Sequence, residues 1–230
     1  MGMGNRSVSL KKIGLFGGSF NPVHLGHLRA ALEARIAFEL ETVLMIPSAR
    51  PPHKSAKDMA PASDRLNMVR MVTSSTPGLA VSDMELKRPG LSYTVDTIKR
   101  FQAEIDDAGM YLIIGLDAFL EYDTWHRYPD LFQLTPIIVL LRPGKKVINL
   151  DQARELMEKQ LTSNISDRYH FDPSPPRFTH PDLQPVHILE VTRLSISSSR
   201  IRRLVKNNKS IQFLVPEKVR RYIAKQGLYQ

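Results

Sequence analysis

The sequence predicts a doubly wound α/β fold, a mostly parallel sheet with helices on both faces. Three observations carry that prediction. Short apolar segments alternate with helix-like ones along most of the chain. The apolar segments are continuously hydrophobic rather than alternating, as strands buried on both faces require. The first of them runs into a glycine turn and then a helix start, the arrangement that opens many nucleotide-binding sheets.

The elements follow in order. Lys12 to Phe16 reads as a buried strand ending at Gly17-Gly18, with the turn Ser19-Phe20-Asn21-Pro22 after it. Leu28, Ala31, Leu32, the Arg35 stem, Ile36 and Phe38 give helical spacing from about Leu25 to Leu40. Thr42 to Ile46 is a second strand, stopped by Pro47. Ser63 is placed to cap a helix carrying Leu66, Val69, Met71 and Val72. Leu79 to Val81 is a third strand, and Ser92 or Thr94 opens a helix through Ile98, Phe101 and Ile105. Met110 to Ile114 and Pro136 to Leu141 are the fourth and fifth strands, the latter ended by Pro143-Gly144. Val186 to Val191 supplies a sixth, and helices follow near Ser198 to Lys206 and Pro216 to Gln226. Five of the 16 prolines (Pro173, Pro175, Pro176, Pro181 and Pro185) fall together, so residues 162 to 185 are expected to form a long irregular surface loop. The whole of residues 1 to 230 then forms a single domain.

Composition narrows the chemistry. Hydrophobic residues are 42% and charged residues 24% of the chain, which excludes a collagenous or wholly disordered protein. No apolar run approaches the ~18 residues of a transmembrane helix, and the stretch from Met1 to Lys12 has no apolar block of a secretory signal. Cysteine is absent, which removes disulfides, thiolate metal sites and a thiol nucleophile, and suits a cytoplasmic protein. The net charge of +9 suits nucleic acid, an anionic membrane face or small polyphosphate ligands, and does not choose among them.

Two segments bear on that choice. Gly14-Leu-Phe-Gly-Gly-Ser-Phe-Asn-Pro-Val-His24-Leu-Gly-His27 joins a strand to a helix through glycines that let backbone approach a ligand closely. Unpaired N–H groups at the start of that helix favour phosphate. Neither G-x-x-x-x-G-K-[ST] nor G-x-G-x-x-G is present, so any phosphate device here is of another kind. His24 and His27 are three residues apart and share a helix face, which suits a polyanion site but equally a plain pair of surface histidines. A zinc site has only His53 as an obvious third ligand and lacks H-E-x-x-H. The second segment is Ile196-Ser-Ser-Ser-Arg-Ile-Arg202, another helix N-terminus, with hydroxyls, N–H groups and Arg200 able to face a phosphate or simply to cap a surface helix. In a doubly wound sheet both segments can meet at the carboxyl ends of the strands.

Gly17-Gly-Ser-Phe-Asn-Pro-Val-His-Leu-Gly-His27 together with Ile196-Ser-Ser-Ser-Arg-Ile-Arg202 resembles the nucleotidyltransferases that share an H-x-G-H motif. Pro51-Pro-His-Lys54, Ser92-Tyr-Thr-Val-Asp-Thr97 and Ile114-Gly-Leu-Asp117 running on to Trp125 narrow the resemblance to the bacterial nicotinate-nucleotide adenylyltransferases. It spans nearly the whole chain, from Lys12 to Gly227-Leu-Tyr229. H-x-G-H alone is weak, whereas the five stretches in this order are specific. Asn21 stands where many relatives have Asp, and the proline-rich stretch is longer than usual.

The resemblance implies a Rossmann-like fold and adenylyl transfer from ATP to nicotinate mononucleotide, with pyrophosphate leaving. The attacking phosphate oxygen is already ionised, so the work is alignment and charge screening rather than base catalysis. It implies that His24, His27 and Arg200 act on the phosphates as catalytic residues, His27 nearest the transferred group. Ser197 and Ser198 would hold the β and γ end with Arg200. Gly17, Gly18, Ser19 and Phe20 would supply backbone near the nucleotide, and Gly115 and Asp117 would lie at the adenosine. Trp125 would face the pyridine ring, the backbone of Thr94, Val95 and His126 the nicotinate carboxylate, and Lys54 and Arg142 a substrate phosphate. Taken without the resemblance, Trp125 reads as a core or rim aromatic and Lys54 and Arg142 as solvated cations. Magnesium is expected to arrive on the ATP phosphates without dedicated protein ligands. Asp83, Glu85 and Asp106-Asp107 read as solvated strand-end, turn and helix-end residues.

The expected partners are therefore ATP and nicotinate mononucleotide, with neither nucleic acid nor membrane among them and the oligomeric state open. A transferase for another phosphate acceptor such as phosphopantetheine is the nearest rival, disfavoured by Ser92-Tyr-Thr-Val and Trp125. A class I tRNA synthetase fits less, since K-M-S-K-S is absent and the chain is short. A nucleic-acid-binding module is allowed by Arg200, Arg202, Arg203 and Lys206 but has no interleaved aromatics there. A relative that only binds ATP is disfavoured by the intact His24, His27, Ser197 and Arg200.

Overall fold

The computed structural model describes residues 11–50, 59–105, 108–141 and 149–230. Strands β1 (Lys11–Gly18), β2 (Thr42–Pro47), β3 (Leu79–Val81), β4 (Ala108–Gly115), β5 (Ile137–Leu141), β6 (His170–Pro173), β7 (Pro176–Thr179) and β8 (Val186–Glu190) form one sheet in the order β3-β2-β1-β4-β5-β8-β7-β6. β1 to β5 and β8 run parallel, and β6 and β7 are antiparallel additions at the far edge. The helices are α1 (Leu25–Ala37), α2 (Ala62–Thr73), α3 (Thr94–Glu104), α4 (Leu116–Phe119), α5 (Tyr128–Leu134), α6 (Leu150–Asn164), α7 (Ser198–Lys206) and α8 (Glu217–Lys225). The strand order reverses between β1 and β4, so a crevice opens at their carboxyl ends.

The continuous apolar strands feed two cores by simple alternation. Leu15, Leu112, Ile114, Ile137 and Val139 point to one face, against Val95 and Ile98 of α3, Phe132 of α5 and Met157 of α6. Phe16, Ile113, Ile138 and Leu140 point to the other, against Ala30 and Ala34 of α1, Met68 of α2, Ile201 of α7 and Val219 of α8. The predicted doubly wound Rossmann-like sheet is thus the fold observed.

Three expectations need correction. Residues 162–185 are not irregular throughout. They contain the β6–β7 hairpin, with Phe171 opposite Phe178, and Phe178 opposite Val186 of β8. The prolines misled because Pro173, Pro175 and Pro176 sit at or beside the hairpin turn, where a missing N–H costs the ladder little. Ser63 does not cap α2; Pro61 occupies the N-cap and Ser63 is already helical. Ile36 is 71% exposed, because α1 buries an alanine face (Ala30, Ala31, Ala34) that lets the helix lie close on the sheet.

One half-buried titratable group lies on β8, away from the β1–β4 crevice. His187 of β8 sits edge-on to Phe38 at 5.0 Å and beside Tyr111 at 6.4 Å. Burial, with Arg177 adding to it, pushes its pKa down to about 4. The folded state therefore holds His187 neutral while the unfolded chain protonates near pH 6.5. The stability this contributes is complete above that pH and is lost as pH falls towards 4. His187→Phe is expected to flatten the fall in melting temperature across that window, followed by circular dichroism. An unchanged slope would show that His187 is not the group responsible.

Candidate active site

The crevice begins at the last residues of β1. A Cβ on Gly17 would meet nothing within 4 Å, so this residue borders open space. A Cβ on Gly18 would come 3.2 Å from the Phe20 ring, so its glycine makes room for that ring. Phe20 itself takes a left-handed φ of 42° and is 2% exposed. Its ring belongs to the core, edge-on to Phe16 and to His27 at 5.8 and 5.1 Å.

The two histidines form a reciprocal cap at the start of α1. His24 N–H donates to His27 Nδ1 and His27 N–H donates to His24 Nδ1, both at 3.3 Å. The rings stack with centroids 3.6 Å apart. A neutral ring whose Nδ1 accepts an N–H carries its proton on Nε2, so this reciprocal cap suits the Nε2–H tautomer of both imidazoles. His24 is only 3% exposed, so the pair is not a surface coincidence. The expected supply of unpaired N–H groups at this helix start is smaller than foreseen. Leu25 N–H donates to Leu214 O and His27 N–H to the His24 ring.

Gly26 explains the small residue between them. A Cβ there would lie 3.1 Å from His24 Nδ1 and 3.2 Å from Cε1, on a ring against which His27 also stacks. Gly26→Ala should hold or raise the melting temperature, because alanine favours helix by about 1 kcal/mol. It should lower kcat about tenfold or more by shifting the ring pair. Steady-state kinetics beside a thermal melt separate the two effects.

The C-terminal segment meets this loop directly. Ser198 Oγ donates to Pro22 O at 2.9 Å, and Arg202 Nη1 donates to Asn21 O at 3.0 Å. Glu33 of α1 holds the segment leading into α7 by accepting from Thr192 N–H at 2.7 Å. Ser197 caps α7, its hydroxyl accepting from Arg200 N–H at 3.2 Å. The N–H groups of Ser198 and Ser199 have no acceptor within the helix, so α7 presents two donors beside the histidines. Arg200 is exposed, and its Nη1 donates to Ser195 O at 3.3 Å. The two segments, from opposite ends of the chain, are thus brought together.

Gly115 ends β4 and caps the short helix α4, with the exposed Asp117 in its first turn. Gly115 ends the strand paired with β1, and Asp117 follows it in α4. Beyond them, Trp125 is half-buried and packs against the first core, and His126 is exposed with its ring 4.3 Å from that of Tyr93. Tyr93 is the N-cap of α3, which no side chain caps. Among the described residues the first intrahelical bond runs from Thr97 N–H to Tyr93 O, so the N–H groups of Thr94, Val95 and Asp96 have no acceptor within the helix, at its positively polarised end next to His126. Val95 is buried as a whole residue, so it borders this helix end without facing solvent.

Lys54, Arg142 and His53, together with Asp106-Asp107, lie outside the described residues. Asp83 is a surface residue paired with Lys87 at 2.9 Å, as expected. Glu85 is not solvated. It is 9% exposed, burial raises its pKa, and it accepts from Thr97 Oγ1 at 2.9 Å. It thereby braces the first turn of α3.

Two residues of this framework, Asn21 and Ser92, have bracing roles that their place in the sequence does not show. Asn21 Oδ1 accepts from Ala60 N–H at 3.0 Å and from Tyr229 OH at 2.8 Å, which ties the motif loop to the C-terminal end. Ser92 Oγ accepts from Ala49 and Arg50 N–H at 3.0 and 3.3 Å. Their partners are backbone groups distant in sequence, for which spacing gives no signal. Among the described residues no three His, Asp or Glu side chains converge to hold a metal ion, and no helix is long and apolar enough to cross a membrane.

Comparison with known proteins agrees with this geometry. The Cytidylyltransferase-like family model matches residues 15–204. A protein of Geobacter sulfurreducens described as a probable nicotinate-nucleotide adenylyltransferase is 41% identical over 218 residues, covering 95% of this chain and 98% of its own. A protein of Citrifermentans bemidjiense with the same description is 38% identical over 218 residues, with the same coverage. Among solved structures, Plasmodium falciparum nicotinic acid mononucleotide adenylyltransferase complexed with NaAD shares the fold, with a TM-score of 0.69 at 18% identity over 95% of this chain and 97% of that one.

Proposed function

We propose, from the premise that the chain belongs to the Cytidylyltransferase-like family and within it to the nicotinate-nucleotide adenylyltransferases, that the crevice at the ends of β1 and β4 is where adenylyl transfer takes place. The enzyme transfers the adenylyl group of ATP to nicotinate mononucleotide, releasing pyrophosphate and forming nicotinate adenine dinucleotide for NAD biosynthesis. The observation that carries the site assignment is the junction of the H-x-G-H loop with the start of α7 through Ser198–Pro22 and Arg202–Asn21. We take residues 1–230 to act as one nucleotidyltransferase domain in the cytoplasm, where ATP is at hand.

The chemistry needs few groups. A phosphate oxygen of nicotinate mononucleotide attacks the α-phosphorus of ATP; the bond to the β-phosphate bridging oxygen breaks and pyrophosphate leaves. The nucleophile carries its charge already, so the residues align and screen. His24 and His27 donate through Nε2 to phosphate oxygens, His27 nearest the transferred phosphoryl group. The N–H donors of α7, the Ser197 hydroxyl and Arg200 receive the departing β and γ phosphates. Ser198 contributes its N–H, since its hydroxyl is committed to Pro22 O. Gly17, Gly18, Ser19 and Phe20 bring backbone to the nucleotide, and Gly115 and Asp117 face the adenosine. Lys54 and Arg142 are assigned to the acceptor phosphate. ATP enters as its magnesium complex, whose ion offsets phosphate charge.

Thr94, Val95 and His126 present backbone to the nicotinate carboxylate while Trp125 packs on the pyridine ring. The test is pyrophosphate release from Mg·ATP with nicotinate mononucleotide, nicotinamide mononucleotide or phosphopantetheine as acceptor. Strong preference for the first is expected. Preference for another acceptor would leave the phosphate site standing and overturn the roles of Val95, Trp125 and His126.

A further inference from the structure

We infer that Arg65, which touches neither substrate in this assignment, is a positioning residue that aims the Ser19–Phe20 peptide into the phosphate site and locks it to the acceptor side of the crevice. The inference rests on the proposed location of that site. Arg65 stands in the first turn of α2 and is 1% exposed. Its guanidinium donates in three directions. Nη1 reaches Ser19 O at 2.8 Å, Nε reaches Ala60 O at 3.1 Å and Nη2 reaches Ala49 O at 3.2 Å. These carbonyls belong to the loop after β1, the loop before α2 and the segment after β2. One planar fork therefore ties together the loops at the ends of two neighbouring strands.

The consequence for the site follows from the planarity of the peptide bond. In a trans peptide the carbonyl and the next N–H point in opposite directions. Ser19 O is held towards Arg65, so the N–H of Phe20 is turned the other way, and the left-handed φ of Phe20 shows that the loop is bent to suit. A carbonyl turned into the crevice would repel phosphate; an N–H attracts it. The Ala49–Arg50 peptide is gripped in the same manner, its carbonyl by Arg65 and its N–H by Ser92 Oγ at 3.3 Å. Ser92 directly precedes the Tyr93 cap of α3, so the grip runs on to the acceptor side.

The charge is also unusual. Among the described residues no carboxylate lies within ion-pair distance of Arg65, and Glu85 acts on it only from farther away. Burial disfavours a lone cation, yet guanidinium keeps its proton. Polyphosphate bound in the crevice brings negative charge to the loops that Arg65 holds without touching Arg65 itself.

Arg65→Lys keeps the charge and loses the planar fork. It is expected to fold, to lower kcat about 10²-fold and ATP affinity about tenfold, and to leave KM for nicotinate mononucleotide within about threefold. Arg65→Gln keeps two donors and loses the charge, and is expected to weaken ATP further than Arg65→Lys does. Both variants are compared with the parent enzyme by melting, by equilibrium dialysis with Mg·ATP and by pyrophosphate release. Folded variants with kcat and ATP affinity both within about twofold of the parent overturn the inference, because a purely structural arginine would change the melt alone. A parent that releases no pyrophosphate overturns the functional reading instead, and Arg65 is then judged on the ATP affinities.

Discussion

His27→Ala should lower kcat about 10²–10³-fold, equivalent to about 2.7–4 kcal/mol of transition-state stabilisation. Three features fix this ring. His24 N–H occupies Nδ1, the His24 ring covers one face at 3.6 Å, and Phe16 and Phe20 meet it edge-on at 6.3 and 5.1 Å. Nε2 is therefore held in one direction before substrate arrives, and in the proposed role little reorganisation is needed as charge builds on the transferred phosphoryl group. Alanine removes that donor and half of the reciprocal cap. The cap accounts for about 1 kcal/mol of stability, well below the kinetic effect. Single-turnover kinetics on protein checked by circular dichroism decide the matter. A folded variant with near-parental turnover would remove His27 from the catalytic role.

The second large effect concerns the acceptor. Nicotinate mononucleotide should be favoured over nicotinamide mononucleotide about 10²-fold in kcat/KM. The uncapped start of α3 offers N–H groups and the positive end of a helix dipole, both suited to a carboxylate. A carboxamide must set its NH₂ against at least one of those donors, which costs about 1–3 kcal/mol. Trp125→Ala should reduce kcat/KM for both acceptors about tenfold or more, through lost stacking area, while KM for ATP stays nearly constant. Equal use of the two acceptors by the parent would refute the carboxylate site. A change in ATP KM on removing Trp125 would place that ring at the wrong substrate.

Much of this molecule is legible in its sequence for definite reasons. Leu15 and Phe16, or Ile113 and Ile114, are adjacent apolar residues that serve opposite faces of one sheet, and only a doubly covered sheet accounts for such runs. The site motifs are legible because each is local: His24 and His27 reach each other within one turn, and Ser197 reaches Arg200 within another. Helix α6 was missed although Asn149 and Gln152 form a capping box and Ala153, Met157 and Leu161 are buried at helical spacing. Its exposed faces are so polar that the stripe is a single residue wide. Arg65, Asn21 and Glu85 were misread or passed over because their partners lie far away in sequence or are backbone groups. A buried arginine on three carbonyls looks, in one dimension, like any arginine at the start of a surface helix.

The central claim is that one triphosphate site is built from the two ends of the chain. Its most direct test is a crystal structure of the protein with magnesium and a non-hydrolysable ATP analogue. The account predicts phosphate oxygens within hydrogen-bonding distance of His27 Nε2 on one side and of the α7 N–H donors and Arg200 on the other. A triphosphate that touches only one of the two segments, or lies away from the carboxyl ends of β1 and β4, would contradict it.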